Sequence, residues 1–468
     1  MNTVGRERWP PWLRRVIGKQ ANIEIKEHRG RYYAYSIKYV GRGRLRRKVS
    51  TYLGTATKHG IVTRQETSLR GIYEYGHVRL LNHLFQESGA LSALKEIFPD
   101  FWKELFALAC NRVIDPRPLK SVGSWFEKTY LPKALGISLS TKRATRVLGV
   151  VGMSWKSQLE FFDRMLVEGE KILYDGSIIV TDSDIPLAEL RTDKEDQFLK
   201  RVNLVVAFSR DRRLPVFFRV LPGSLHEIGT LRLFLEEIEE KNLILVMDKG
   251  FASEDWFEEI DRRGNGFIIS LKRNSSRIEY ERKRTRFFMY RKRPIKYCSY
   301  QSGKFYIYLY EDPALRAEEE RTCFTLLSEG KRATFKEEWA GTIALISNLS
   351  APAEEIYDMW KGRGEIEKAF HVLQNLLDTD TPYVRQEETF RGYIFVSFLG
   401  LIGYYFLLRI LKEAGINKVS VSDLMLELSK VYVVELKERE FVSERTKRVR
   451  ALAKALGLEN LITKIGWR

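Results

Sequence analysis

Three acidic residues lie where an α/β protein would bring them to one site. Asp175 falls inside the apolar run ILYDGSIIV, Asp248 directly follows the run LILVM, and Glu367 belongs to the charged segment GEIEKAF. An Asp inside an apolar strand is costly to bury unless it is paired or binds a cation. Carboxylate oxygens suit Mg²⁺ or Mn²⁺, so the three residues are candidate metal ligands. The structural alternative is that Asp248 caps the next turn and Asp175 accepts a backbone hydrogen bond.

The segment around Glu367 combines unusual side chains on one helical face. Residues 357–375 read YDMWKGRGEIEKAFHVLQN, and helical spacing aligns Trp360, Arg363, Glu367, Phe370 or His371, and Gln374. A carboxylate, a cation and an amide beside an aromatic ring suit a face toward metal and phosphate, although a solvated charged helix shows the same pattern. Gly362 and Gly364 each weaken a helix by about 1 kcal/mol, so we expect an irregular first turn.

Apolar runs upstream predict the sheet that would position these acids. The predicted strands are 172–180, 201–209, 214–221, 243–247 and 266–270, and the predicted helices are 229–240 and 253–263. The first three strands can pair as an antiparallel meander, and the alternating helices then add parallel strands. This order is the ribonuclease-H-like topology, an α/β fold in which the first and fourth strands are neighbours. Ligands collect at the carboxyl ends of strands in such sheets, so we expect Asp175 and Asp248 to meet there.

With these residues in order, the chain resembles the DDE transposases of bacterial and archaeal insertion sequences. It looks most like the superfamily named after insertion sequence four, in which a β-strand insertion separates the second Asp from the Glu. The matching pieces are LYDGS, VMDKGFAS with the later FIISLKRN, the IEKAF region and the apolar helix TFRGYIFVSFLGLIGYYFLL, over roughly residues 70–415. The acids are separated by 72 and then 118 residues, and the three blocks in this order are much more specific than any one alone.

The resemblance also assigns roles around the Glu. The family signature is Tyr, two residues, Arg, three residues, Glu, six residues, Lys, and this chain has Trp360, Arg363, Glu367 and Gln374 at those positions. The Arg and the Glu match. Gln in place of Lys changes one phosphate contact, because an amide cannot neutralise charge. Glu365 is an alternative ligand, but the spacing favours Glu367.

The reaction that the resemblance implies is phosphoryl transfer with two Mg²⁺ or Mn²⁺ ions held by Asp175, Asp248 and Glu367. One ion would activate water, or later the DNA 3′-hydroxyl, and the other would stabilise the leaving oxygen. Arg363 would orient a phosphate bidentately. The implied substrate is double-stranded DNA, namely the inverted repeats at the ends of an insertion sequence, which are cut and joined to target DNA. Two alternatives share these residues: a ribonuclease-H-fold nuclease without strand transfer, and a catalytically retired transposase that only binds DNA.

The charge of the chain independently suggests a polyanionic partner. There are 79 Lys and Arg against 61 Asp and Glu, a formal charge of +18. Residues 1–50 carry a net charge of +11 and residues 271–297 a net charge of +9, and such clusters release counterions on meeting DNA phosphates. A generally basic proteome is the alternative explanation. The candidate DNA contacts are Trp360, Gln374, Lys272, Arg273, Arg282, Lys283, Arg284 and Arg286.

The second basic cluster, from Lys272 to Lys296, is expected to lie beside the catalytic site and to grip the DNA end being cut. Its cations are interleaved with Tyr280, Phe287, Phe288, Tyr290 and Tyr297. These rings either stack on unpaired bases or form a small core of their own, with the charges as a solvated edge.

The sequence divides into segments of different character. They are a basic N-terminal β-hairpin module (1–64), a helical DNA-binding region (65–170), a ribonuclease-H-like core in two parts (171–271 and 346–415), a β-rich insertion between those parts (272–345) and a basic helical tail (416–468). The hairpin is predicted around Gly41 and Gly43. Residues 1–130 are expected to recognise the transposon ends.

Other features argue against competing classes. Cys110, Cys298 and Cys323 lie far apart without a C-x-x-C pair, which indicates neither a zinc site nor a disulfide framework and fits a reducing cytosol. The N-terminus lacks the continuous apolar core of a signal peptide. Residues 392–408 are uncharged and at the short limit for a bilayer span, and we expect a buried core helix rather than a membrane helix. We therefore expect a cytoplasmic, nucleoid-associated protein without a membrane partner that forms a homodimer on DNA.

Overall fold

The structure is a computed structural model that describes residues 2–18, 22–41, 46–62, 69–192, 198–224, 227–238, 241–377 and 384–467. The chain folds as two compact units. The first unit comprises residues 1–79, 128–130 and 427–468, and the second comprises residues 80–127 and 131–426.

The first unit begins with a small antiparallel sheet packed on one helix. Its elements are β1 (Asn2–Val4), α1 (Pro11–Ile17), β2 (Ile23–His28), β3 (Arg31–Val40), β4 (Arg47–Thr57) and β5 (Gly60–Val62). The strands follow one another in the order β1-β2-β3-β4-β5. Pro11 suits the first turn of α1, because backbone N–H groups there have no acceptor within the helix and the N–H that proline lacks is not needed. Leu13 and Ile17, one turn apart on α1, are buried in one core with Ile25 and Ala34 of the sheet.

The predicted hairpin is confirmed as the pairing of β3 with β4. The register runs from Tyr32 opposite Ala56 to Val40 opposite Arg47. Gly41 has a φ of 100°, which glycine adopts without the steric cost of a side chain. The rest of the predicted turn, including Gly43, lies outside the described residues.

A run of helices follows strand β6 (Leu69–Glu74). The helices are α2 (Gly76–Glu87), α3 (Ala90–Ile97), α4 (Trp102–Ile114), α5 (Val122–Lys128), α6 (Leu131–Leu135), α7 (Thr141–Met153) and α8 (Trp155–Met165). Ser140 caps α7 because its side chain accepts a hydrogen bond from the backbone N–H of Arg143. The predicted helical character of this region therefore begins at α2, after a strand that the sequence pattern did not indicate.

The second unit is organised around a large mixed sheet. Its strands are β7 (Lys171–Val180), β8 (Glu189–Thr192), β9 (Phe198–Ser209), β10 (Leu214–Pro222), β11 (Ile244–Met247), β12 (Gly266–Ser270), β13 (Arg286–Tyr290), β14 (Arg293–Ser302), β15 (Phe305–Glu311) and β16 (Thr342–Ser347). The order is β10-β9-β7-β11-β12-β16-β15-β14-β13, with β8 beside β9. β7, β9 and β10 are antiparallel, whereas β11 is parallel to β7 and to β12. The predicted strands are present, and the first and fourth of them, β7 and β11, are neighbours as predicted.

Two helices make the connections that parallel strands require. α9 (Glu227–Glu237) joins β10 to β11, and α10 (Glu254–Arg262) joins β11 to β12. On α10, Trp256, Phe257 and Ile260 are buried at helical spacing. All of β12 is buried, which is expected of a central strand covered on both faces.

The segment 272–345 differs from the expectation in two ways. Its strands β13, β14 and β15 continue the large sheet, because β16 pairs with both β12 and β15. The run RTCFTLLS (321–328), which the composition predicts as a strand, belongs to α11 (Pro313–Ser328). Asp312 caps this helix by accepting the backbone N–H groups of Ala314 and Leu315 at 3.0 and 3.4 Å, and proline occupies its first position. These start signals outweigh the β-favouring composition of the later residues.

The remaining helices of the second unit include its most apolar element. They are α12 (Ala353–Lys361), α13 (Gly364–Leu377) and α14 (Glu387–Glu413). Within the described residues α14 alone is long and apolar enough to cross a membrane, yet 78% of its most apolar window is buried inside the protein. Gly152 of α7 and Gly392 of α14 allow close approach, since a Cβ at either position would overlap a backbone carbonyl of the other helix. The predicted buried helix is confirmed.

The C-terminal segment is not the helical tail that the sequence predicted. It contains α15 (Val421–Leu428), β17 (Tyr432–Leu436), β18 (Glu440–Val442) and α16 (Lys447–Ala455). β17 lies between β6 and β18 in a small antiparallel sheet of the first unit. The run YVVEL is rich in β-branched residues and buries Val433, so it gains more by pairing with β6 than by forming a basic helix.

Candidate active site

Asp175 and Asp248 occupy one row of the large sheet. The parallel register sets Val246 of β11 beside Leu173 of β7. Asp175 lies two residues after Leu173, and Asp248, the residue directly after β11, lies two residues after Val246. In-register residues of neighbouring parallel strands point to the same side, so both carboxylates face one side of the sheet. Asp175 accepts the backbone N–H of Gly176 at 2.9 Å, and its side chain is 21% exposed.

Ser270 extends this row onto β12. The hydroxyl of Ser270 donates to Oδ1 of Asp248 at 3.0 Å. Burial raises the pKa of Asp248, but the Arg363 guanidinium, the backbone N–H of Lys249 and the Ser270 hydroxyl lower it, and the net pKa is below its ordinary value. The environment of Asp248 therefore favours a carboxylate anion. Sequence reasoning missed Ser270, although a polar residue that ends a fully apolar strand was a visible signal.

Arg363 connects the two acids. Its Nη1 donates to Oδ1 of Asp248 at 3.0 Å, and its Nη2 lies 3.6 Å from Oδ2 of Asp175. Arg363 lies in a break between α12 and α13, where the N–H of Gly362 bonds to the carbonyls of Asp358 and Met359. The sequence predicted a single helix here with an irregular first turn. The structure instead has two helices, and the glycine-rich junction between them presents the guanidinium to both carboxylates.

The other signature residues lie on either side of this break. Trp360, in the last turn of α12, is partly buried, and its Nε1 is buried without a hydrogen-bond partner among the described residues. Gln374 lies on α13, and its Nε2 donates to the hydroxyl of Ser177 on β7 at 3.4 Å. Glu367 is exposed on the same helix between Arg363 and Gln374.

Glu365, the alternative ligand, has a different environment. Its carboxylate pairs with Lys368 at 2.9 Å. Burial raises its pKa, but Lys368, with Lys412 and Arg213 farther off, holds the net pKa below the ordinary value. These neighbours already neutralise the carboxylate of Glu365, whereas the carboxylate of Glu367 is exposed and can bind a metal ion.

The residues around Arg363 fit a divalent cation by the chemistry of their donors. Two carboxylates from adjacent strands converge on one positive group, which is the arrangement that a cation between them requires. In the described part of the chain, however, no three Asp, Glu, His or Cys side chains lie close enough together to hold a metal ion. The structure thus brings Asp175 and Asp248 together, with the guanidinium of Arg363 where a metal ion would bind between them. It does not bring Glu367 into a three-ligand cluster.

A cleft of about 700 Å³ opens beside Asp248. Lys272, Arg273 and Tyr280 line it together with Trp360. Lys272 is exposed, whereas Arg273 pairs with Glu319 across the cleft wall. The start of the basic segment 272–296 therefore lies next to one of the candidate ligands.

The other candidate DNA contacts of this segment fall into two groups. Arg282 pairs with Glu279 at 2.6 Å and lies over the ring of Tyr300, and Arg284 is partly buried and donates to the carbonyl of Tyr280 at 3.0 Å. Lys283 and Arg286 are exposed and have no ion-pair partner among the described residues. The charges of Lys283 and Arg286 are therefore available to a phosphate, whereas Arg282 and Arg284 already make contacts within the protein.

The aromatic residues of the segment mostly form a core. Phe288 is 8% exposed and packs against Tyr357 with ring centroids 5.4 Å apart, and Tyr290 packs on the same ring at 5.1 Å. Tyr297 joins Phe288 at 5.7 Å. Phe287, on strand β13, is 67% exposed. Phe288, Tyr290 and Tyr297 therefore pack in a core, as the alternative to base stacking predicts, but this core includes Tyr357 of α12 and is not confined to the insertion.

A buried network links this core to the helix before Arg363. Asp312, 1% exposed, accepts a hydrogen bond from the hydroxyl of Tyr357 at 3.0 Å and one from Arg293 at 2.9 Å. Tyr357 lies on α12, one turn before Trp360. Asp312 thereby anchors α12, and sequence reasoning missed it because its partners come from three separate segments.

Comparison with known proteins identifies the family. A family model described as "Transposase DDE domain" matches residues 169–401. No curated protein sequence matches the chain significantly. Among solved structures, the chain is similar to the piggyBac transposase in a cryo-EM structure of its synaptic complex with hairpin DNA, with a TM-score of 0.41, 10% identity, and coverage of 76% of this chain and 79% of that chain. The family match encloses Asp175, Asp248 and Glu367, and the chain belongs to the transposase DDE-domain family.

Proposed function

We propose that the protein is a DNA transposase that cuts at the terminal inverted repeats of an insertion sequence and joins the ends to target DNA. The observation that carries this proposal is the convergence of Asp175 and Asp248 on Arg363 at the start of the signature helix. The strand order β10-β9-β7-β11-β12 also supports it, because it is the order expected of a ribonuclease-H-like core.

In this proposal Asp175, Asp248 and Glu367 hold two Mg²⁺ or Mn²⁺ ions. Such ions, when bound, polarise a phosphodiester and lower the pKa of an attacking water. Asp175 and Asp248 are held ready by the sheet row and by Ser270. Glu367, which is exposed on α13, completes the ligand set.

Arg363 has two roles in the proposed reaction. Without metal and DNA it neutralises the Asp pair, and with them its guanidinium turns to a phosphate oxygen, which its planar fork can bind bidentately. Trp360 and Gln374 flank it and position the DNA strand. Lys272 holds a phosphate beside the cleft, and the exposed Lys283 and Arg286 hold phosphates farther along the basic segment. Arg273, Arg282 and Arg284 need to exchange a protein partner for DNA.

The partners and setting follow from this reaction. The protein binds double-stranded DNA both as transposon ends and as target, and it works as a homodimer so that two ends are cut together. The cytoplasm, on the nucleoid, is where it meets this substrate.

Substitution of the ligands tests the site. We expect Asp175→Asn, Asp248→Asn and Glu367→Gln each to abolish cleavage of DNA that carries the ends of the element, while binding measured by gel shift persists. Glu365→Gln is the matched control and should retain cleavage, because Glu365 is neutralised by Lys368. Loss of cleavage in Glu365→Gln together with full activity in Glu367→Gln would contradict the ligand assignment.

The two alternatives give different products in the same reaction. A nuclease of this fold would cut the ends and never join them to a second DNA. A retired transposase would bind the ends and leave them intact with either ion. Joined products in wild-type reactions exclude both.

A further inference from the structure

The β3–β4 hairpin extends beyond its sheet as a two-stranded ribbon. β2 accompanies β3 only as far as Ser36, with one further hydrogen bond from the N–H of Ile37 to the carbonyl of Asn22, and β5 accompanies β4 only from Thr55. Residues 38–41 and 46–50 form the ribbon: they pair with each other, and within the described residues no third strand pairs with either of them. At about 3.4 Å per residue the ribbon projects by roughly 13 Å.

The ribbon exposes apolar side chains that the fold does not use. Tyr39 is 57% exposed, Val40 50% and Val49 40%. A two-stranded hairpin is marginally stable alone in water, and exposed valines add nothing to that stability. The valine side chains of the ribbon are therefore available to a partner, whereas the ring of Tyr39 already lies under Arg46, 4.7 Å away.

The two faces of the ribbon differ in charge. Lys38 lies opposite Val49 and Val40 opposite Arg47, so these four residues share one face, which we call the basic face. On the other face Lys48 pairs with Glu24 of β2. Neither Lys38 nor Arg47 has an ion-pair partner among the described residues. The basic face thus has unneutralised cations beside apolar methyl groups.

We propose that the basic face of the ribbon enters the major groove of duplex DNA and contacts base edges there. The major groove, about 12 Å wide and 8.5 Å deep, admits a two-stranded ribbon and presents a distinct pattern for each base pair, whereas the minor groove, about 6 Å wide, presents a degenerate pattern. Arg47 suits the O6 and N7 atoms of guanine, Val40 and Val49 suit thymine methyl groups, and Lys38 suits a flanking phosphate. The DNA is the terminal repeat, which rests on the proposed function.

Methylation footprinting tests the groove. The full-length protein with Asp175→Asn is bound to DNA that carries the ends of the element and treated with dimethyl sulfate, which modifies guanine N7 in the major groove and adenine N3 in the minor groove. We expect protected guanines in each end. Lys38→Ala with Arg47→Ala should remove that protection and weaken binding by roughly tenfold or more.

Two controls separate base contact from charge. Lys26→Ala with Lys58→Ala removes the same charge from the body of the sheet and from the β4–β5 turn, and the footprint should remain. Arg47→Lys keeps the positive charge but loses the guanidinium that can bind a base bidentately. The salt dependence of DNA affinity should therefore be unchanged, while the preference for the native repeat over altered repeats should fall. Circular dichroism checks the fold of each variant.

The proposal is overturned if guanine protection survives in the Lys38→Ala, Arg47→Ala variant, if only adenine N3 is protected, or if the control loses the same footprint. Wild-type cleavage is scored on the same DNA. A footprint that depends on the basic face without any cleavage supports the ribbon and contradicts the transposase. Cleavage together with a footprint that does not depend on the basic face supports the transposase and contradicts the role of the ribbon.

Discussion

Replacement of Arg363 by Ala should tighten the binding of Mn²⁺ in the absence of DNA. The guanidinium lies 3.0 Å from one carboxylate and 3.6 Å from the other, and the Arg363 side chain is only 14% exposed. A cation that binds both Asp175 and Asp248 has to displace it. A hydrogen bond between charged groups contributes about 1.5–3 kcal/mol. Since the Asp248 side chain is 40% exposed, solvent screening favours the lower end, and we expect affinity to rise about tenfold.

The assay is titration of the full-length protein with Mn²⁺, with free ion measured by electron paramagnetic resonance. Lys368→Ala is the matched control, because it removes one positive charge from α13 without touching the Asp pair, and its Mn²⁺ affinity should equal that of the wild type. Asp248→Asn added to Arg363→Ala should abolish the gain. The same Arg363→Ala variant should cleave DNA poorly, since the phosphate loses its bidentate partner. Unchanged or weaker Mn²⁺ binding by Arg363→Ala would refute the idea that the guanidinium occupies the position of the metal ion between the two carboxylates.

Three further outcomes follow from the packing and the charges. Gly392→Ala should lower the stability of the fold by about 3 kcal/mol or more, measured by thermal melting, because its methyl group would overlap a carbonyl of α7. The control Gly149→Ala should melt like the wild type, because its Cβ would lie 3.8 Å from the nearest atom. Equal melting temperatures of the two variants would contradict the close contact of the helices. Tyr357→Phe should lower the free energy of unfolding by about 1–3 kcal/mol, because the buried carboxylate of Asp312 loses one donor; an unchanged value in chemical denaturation would mean that this bond adds nothing. Gln374→Lys should increase DNA affinity and steepen its salt dependence by about 0.9 in slope, because it restores a cation beside β7; an unchanged slope would place residue 374 away from phosphate.

Much of the site could be predicted because strand patterns are local. Asp175 lies in one short apolar run and Asp248 directly follows another, and the ribonuclease-H-like order of strands and helices predicts that β7 and β11 are neighbours, as they are. What the sequence could not supply is the position of Arg363 between the acids. That position depends on how α12 ends at Gly362, and so on packing between segments far apart in the chain.

The regions that differ from expectation do so for two reasons, a local helix cap in one case and contacts between distant segments in the others. α11 begins at an Asp-Pro pair, a local signal, but its later residues have strand-like composition and their state is decided by the cap. β17 forms a strand because β6, more than 350 residues earlier in the chain, offers an edge to pair with. The aromatic residues of β13 and β14 pack on Tyr357 of α12, a contact that no spacing within 272–296 could reveal.

A joining reaction tests the transposase activity most directly. Purified protein is incubated with Mg²⁺, a DNA fragment that carries both ends of its own element, and a supercoiled target plasmid, and the junctions are sequenced. We expect element ends joined to target through their 3′-hydroxyls in the wild-type reaction, and none with Asp175→Asn. Ends that are cut and never joined, or joined equally well by Asp175→Asn, would contradict the proposal that this site performs transposition.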